Sequence, residues 1–96
     1  MVTLESLRTR DKGRIEALAR KHGASNLRVF GSVARGVNRE DSDVDFLVDF
    51  EPSRTLFDLI GLRLDLKELL DVEVELVTPG SLRYLRERVL AEAIPL

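Results

Sequence analysis

Residues 43–50 read Asp-Val-Asp-Phe-Leu-Val-Asp-Phe, and no other run limits the fold of this chain so strongly. Side chains of a strand alternate between two faces, so Val44, Phe46 and Val48 share one face while Asp43, Asp45, Leu47 and Asp49 share the other. The first face has to be buried. The second carries two carboxylates two positions apart, with Cα atoms about 6.5–7 Å from each other. No Lys or Arg lies between Asp43 and Phe50, so these carboxylates repel unless a cation sits between them. Upstream, the apolar run 26–30 ends in Gly31-Ser32, a turn rich in backbone amides. The remaining chain reads as the scaffold that brings turn and carboxylates together.

The elements follow from periodicity and caps. Leu4, Leu7, Ile15, Leu18 and His22 recur at helical spacing over residues 4–22, with Thr3 as N-cap and Gly23 as the stop. Asp11 and Gly13 interrupt the pattern and leave the first turns free to form a separate piece. His22, the only histidine, reads as a surface group compatible with the helix dipole rather than as a catalyst. Residues 26–31 form a strand, 33–35 one helical turn, 37–42 a polar loop and 44–50 the second strand. Thr55-Leu-Phe-Asp58 is a capping box with Asp in the Glu position, opening a helix to about Leu70. Its Leu/Ile content covers more than one stripe, so it is buried on most sides or shows an apolar strip to a partner. Val72 to Val77 is the third strand. Thr78 and Pro79 open a last helix whose core face is Leu82, Leu85, Val89 and Ala93. The fold class is α/β (α+β), with at least three strands flanked by helices.

Length and composition set the outer bounds. Ninety-six residues suffice for one domain, 1–96, with an aliphatic core, since 44% of residues are hydrophobic and only 5% aromatic. The absence of cysteine excludes disulfides, thiolate metal sites and a cysteine nucleophile, and suits the cytoplasm. Apolar runs fall far short of the roughly 20 residues that cross a bilayer, and the N-terminus has no signal-peptide pattern. Residues 1–40 carry nine Lys/Arg against four Asp/Glu, and residues 41–96 carry six against thirteen. That asymmetry fits a basic surface for phosphates beside an acidic pocket, or simply two solvated faces; it does not fit a duplex-DNA-binding module.

Asp43 and Asp45 suit Mg²⁺, which takes one or two carboxylates and completes its shell with water and substrate phosphate oxygens. A third carboxylate from the neighbouring strand would complete a two-metal arrangement. Spacing leaves Glu75 and Glu73 both open for that place. Gly31 and Ser32 supply backbone freedom, a hydroxyl and amides for a phosphate, with Arg35 and Arg39 as added charge. This is not a P-loop: Gly31 and Gly36 have its gap, but Val37 stands where its Lys belongs.

Phe30-Gly-Ser-Val-Ala-Arg-Gly, followed by Ser42-Asp-Val-Asp-Phe-Leu-Val and by Val77-Thr-Pro-Gly-Ser-Leu82, strongly resembles the minimal nucleotidyltransferases of the polymerase-β-like superfamily. The resemblance covers nearly the whole chain. It implies a mixed sheet flanked by helices, Gly31-Ser32 on the triphosphate of ATP, and Asp43 and Asp45 on Mg²⁺. It places the family's third acidic position on Glu75, where many relatives have Asp. It further implies transfer of AMP from ATP to a hydroxyl, with the protein acting as antitoxin toward a HEPN-domain ribonuclease modified on a tyrosine. The alternative is an antitoxin of weak or no catalytic activity that neutralises its partner by binding alone, motivated by Glu75. Modification of a small molecule is a third reading and would call for an additional acceptor-binding domain.

Overall fold

Two buried stripes meet at the centre of the molecule: Val44, Phe46 and Val48 from one strand, and Leu62, Leu66 and Leu70 from one helix. The structure is a computed structural model and describes residues 1–81 and 86–96. In chain order it contains α1 (Leu4–Arg8), α2 (Lys12–Lys21), β1 (Ala24–Phe30), α3 (Gly31–Arg35), β2 (Val44–Phe50), α4 (Leu56–Leu70), β3 (Val74–Val77), a 3₁₀ turn (Pro79–Ser81), α5 (Arg86–Glu92) and β4 (Ile94–Pro95). The four strands form one mixed sheet in the order β3-β2-β1-β4. β2 runs antiparallel to β1 and parallel to β3, and β4 is antiparallel to β1. A parallel pair needs a crossover, which α4 supplies between β2 and β3.

The N-terminal helical region is two helices. Thr3 and Ser6 form a reciprocal capping box on α1, and the chain then turns so that the Asp11 amide donates to the Ser6 carbonyl at 3.1 Å. Asp11 is 4% exposed and pairs with Arg10 at 3.3 Å, which explains why an acidic residue can interrupt an otherwise apolar face. The third strand begins at Val74, two residues later than the alternation suggests. The Thr78–Pro79 start gives one 3₁₀ turn, with the Thr78 amide and carbonyl both bonded to Ser81 Oγ. Val89 is buried as expected; Leu82 and Leu85 lie outside the described residues. β4, which carries Pro95, was not legible at all: its pairing reaches only Arg28 and Val29.

His22 departs from the surface role expected of it. It caps the end of α2 but its ring is largely covered, with Nε2 2.7 Å from Asp65 Oδ2 on α4. The ring lies where a side chain on Gly61 would be, so the missing Cβ at 61 is what lets α2 approach α4. The His22 bond, reinforced by Lys21, holds the Asp65 carboxyl below its ordinary pKa. This stabilisation is present above the usual Asp range and lost as pH falls through the lowered value. His22→Ala is expected to destabilise the fold by about 1–2 kcal/mol, measured by urea unfolding at neutral pH.

Along α4, Leu62, Leu66 and Leu70 recur every four residues and face the core. Leu56 (69% exposed), Phe57 (84%), Ile60 (43%) and Leu64 (52%) lie on the opposite side. Phe57, Ile60 and Leu64 are spaced i, i+3, i+7 and make a continuous apolar stripe on the surface. The helix is thus not buried on most sides: one face packs on the core and the other shows an apolar strip at the surface. Among the described residues no helix is long and apolar enough to cross a membrane.

Candidate active site

The turn and the carboxylate strand meet at one residue. β1 pairs with β2 so that Phe30 lies opposite Asp45, and the chain swings into α3 immediately afterwards at Gly31. Gly31 has φ +74°, and a Cβ there would land on the Asp45 carboxylate. Only glycine allows both this backbone and this approach. On the other side, β3 pairs in parallel with β2 and sets Glu75 beside Asp45, at the strand spacing of about 4.8 Å. Asp45 therefore has Gly31 on one flank and Glu75 on the other, with Asp43 two residues back along its own strand.

The electrostatics agree with the register. The Asp45 carboxyl is pushed up from 3.8 to about 6, first by its partial burial and then by the charges of Asp43 and Glu75, while Arg35 pulls it down. A carboxylate raised by two like neighbours lacks a compensating cation. Two other acids near these carboxylates along the chain are paired. Asp49, on the same face of β2, pairs with Arg28 at 3.1 Å and accepts from Asn26 at 2.9 Å. Glu73 is 2.7 Å from Lys67 and 3.7 Å from Arg63 of α4, and Lys67 holds its carboxyl below the ordinary range. Spacing left Glu73 and Glu75 open; the structure turns Glu73 to α4 and sets Glu75 beside Asp45. Among the described residues, none of Asp43, Asp45 and Glu75 has an ion-pair partner within 4 Å.

Three oxygen donors from carboxylates, with excess negative charge, suit a hard divalent cation such as Mg²⁺. Among the described residues no three such groups are gathered closely enough to hold a metal ion together. Ser32 is half-buried in the first turn of α3, beside Gly31. Arg35 ends that helix close enough to act on Asp45. Arg39 stands apart. Its backbone closes a turn with Ser42, through its amide to Ser42 Oγ at 2.7 Å and its carbonyl from the Ser42 amide at 3.1 Å. Its side chain is exposed and has no ion pair among the described residues.

Sequence reading missed two residues here. Glu92 of α5 lies 3.6 Å from Arg35 and also accepts from Arg88 Nε at 3.2 Å. The i, i+4 spacing of Arg88 and Glu92 was visible, but nothing in it pointed to Arg35, more than fifty positions earlier.

Comparison with known proteins bears on the same region. The nucleotidyltransferase domain family matches residues 12–96. The protein adenylyltransferase MntA of Thermococcus cleftensis is 39% identical over 95 residues, covering 98% of this chain and 96% of that protein. A solved structure assigned as a minimal nucleotidyltransferase superposes with a TM-score of 0.85 at 53% identity, covering 99% of this chain and 97% of the other. A crystal structure of a mutant of the toxin–antitoxin MntA–HpeT superposes with a TM-score of 0.71 at 25% identity, covering 88% and 70%.

Proposed function

The chain belongs to the nucleotidyltransferase domain family, and from that premise we propose that it is a protein adenylyltransferase acting as an antitoxin. Residues 1–96 work as one minimal nucleotidyltransferase domain. It transfers AMP from ATP to a hydroxyl, a tyrosine of a HEPN-domain toxin, in the cytoplasm. The observation that carries this reading is the placement of Asp45 between Glu75 on the paired strand and a glycine turn that cannot accept a side chain, with Asp43 two residues back and no ion pair to any of the three carboxylates within 4 Å among the described residues.

Asp43 and Asp45 would hold Mg²⁺, two ions with Glu75 as the third carboxylate. Bound there, Mg²⁺ supplies charge neutralisation for the phosphates and acidifies the attacking hydroxyl. Gly31 and Ser32 take the phosphates through backbone and hydroxyl, and Arg35 adds a guanidinium. The acceptor oxygen attacks the α-phosphorus, the bond to pyrophosphate breaks, and Glu75 receives the acceptor's proton. Arg39, exposed on the loop before β2, adds charge toward the outer phosphates. The exposed stripe Leu56, Phe57, Ile60 and Leu64 supports a protein acceptor held by docking. The same stripe supports the second reading, an antitoxin that neutralises by occlusion with little or no turnover. Strong complex formation without ATP or Mg²⁺, read by calorimetry, favours occlusion.

The test contrasts two neighbouring glutamates. With labelled ATP, Mg²⁺ and purified toxin, Glu75→Gln is expected to slow labelling by about 10²–10³-fold, the usual effect of losing one preorganised charged group at a reacting centre. Glu73→Gln, which only breaks pairs to Lys67 and Arg63, is expected to keep the rate within about twofold. Equal effects of the two substitutions would contradict the assignment of Glu75.

A further inference from the structure

Arg35 faces the carboxylates on one side and Glu92 on the other. The Arg35 Nη1 lies 3.6 Å from Glu92 Oε2, and the other oxygen, Oε1, accepts from Arg88 Nε at 3.2 Å. Each oxygen of one carboxylate thus has its own guanidinium. That is how a pair of arginines takes up a tetrahedral oxyanion. The two arginines come from α3 and α5, which pack on each other. Only Arg35 also acts on the site carboxylate Asp45, so the pair sits at the rim of the site and not within its metal-binding centre.

The pairing is also one that can be given up. The side chains of Arg35, Arg88 and Glu92 are 51%, 69% and 33% exposed, and exposed ion pairs contribute little to stability. A triphosphate carries more negative charge than a single carboxylate and presents more acceptor oxygens, so it competes well for the same two cations. No other partner is required of Arg88 by the fold: Glu92 is its contact among the described residues.

We propose that Glu92 holds the place of the terminal phosphate of the nucleotide, its carboxylate occupying Arg35 and Arg88 until the triphosphate displaces it from both. Arg88 is thereby a second phosphate-binding arginine, and Glu92 a competing anion that lowers nucleotide affinity. This rests on the proposed function, which makes the site a triphosphate site. It adds that the C-terminal helix α5 takes part in binding.

Titration calorimetry with Mg²⁺ separates the two claims, using α,β-methylene-ATP, which cannot transfer its nucleotide, and AMP, which lacks the outer phosphates. Glu92→Gln keeps the shape of the side chain and removes its charge. It is expected to bind α,β-methylene-ATP about three- to tenfold more tightly than wild type, with AMP unchanged. Arg88→Gln is expected to bind the triphosphate analogue more weakly by about the same factor, again with AMP unchanged. Circular dichroism melting confirms that both variants fold. If wild type binds the analogue but Glu92→Gln binds it no more tightly, or shifts AMP equally, the inference fails and the proposed function stands. If no variant binds the triphosphate analogue, both fail.

Discussion

Replacing Asp45 with Asn is expected to abolish nucleotidyl transfer and, in the same molecule, to stabilise the ion-free protein. The loss of activity follows from its place between Gly31 and Glu75: no other side chain offers a carboxylate at that point, and a fall of at least about 10³-fold is expected. The gain in stability follows from its pKa. The carboxyl titrates at about 6 in the folded chain against an ordinary 3.8. Between those values the native state binds more protons than the unfolded state, so stability falls as pH rises through that window and stays lower above it. The raised value would correspond to about 3 kcal/mol if undiminished, but the group is half in water, and about 1 kcal/mol is the more realistic figure. For a domain of this size that is a rise of about 4–8 °C in melting temperature at pH 8. Thermal melts from pH 4 to 8 check it: wild type loses stability between pH 4 and 6 and Asp45→Asn does not. Added Mg²⁺ should restore the wild type and leave the variant unmoved.

Gly31→Ala is expected to damage the site and the fold together. At φ +74° an alanine is strained, and its methyl would occupy the position of the Asp45 carboxylate. The backbone conformation alone costs about 1–3 kcal/mol, seen as a drop in the urea midpoint. Either the carboxylate rotates away or α3 shifts, and a displacement of about 1 Å at a reacting centre slows turnover by about 10²-fold. Ser32 and Arg35 ride on the same short helix, so nucleotide affinity should fall with the rate. Gly61→Ala makes the comparison clean: it also crowds a neighbour, His22, but at the α2–α4 contact, so it should lower stability while leaving nucleotide affinity in the folded fraction unchanged.

Much of this architecture is written in local patterns. The alternation of Val44, Phe46 and Val48 with Asp43 and Asp45 fixes a two-faced strand, and the Thr55–Asp58 box fixes the start of α4. What the patterns cannot hold is pairing between distant segments. Glu73 and Glu75 are equivalent by spacing; they become different only because Arg63 and Lys67, one helix earlier, reach Glu73 and leave Glu75 beside Asp45. His22 looks like a helix-end surface residue until Gly61 and Asp65 are seen to receive it. Ile94–Pro95 makes a strand too short to have a period, held by Arg28 and Val29. Arg39 reads as a phosphate cation from its place between the glycine turn and the carboxylates; its loop is closed by Ser42 and its side chain is exposed. The roles of the chain's acids are thus set by which cations the fold brings to each of them.

The most direct test is to incubate the chain with Mg²⁺, the HEPN-domain toxin proposed as its partner, and ATP labelled at the α-phosphate or at the γ-phosphate. The α-label alone is expected on a toxin tyrosine, and Asp43→Asn is expected to give no label and to neutralise the toxin less well than wild type. Absence of α-label with wild type, together with an Asp43→Asn variant that neutralises as well as wild type, would contradict the proposed function.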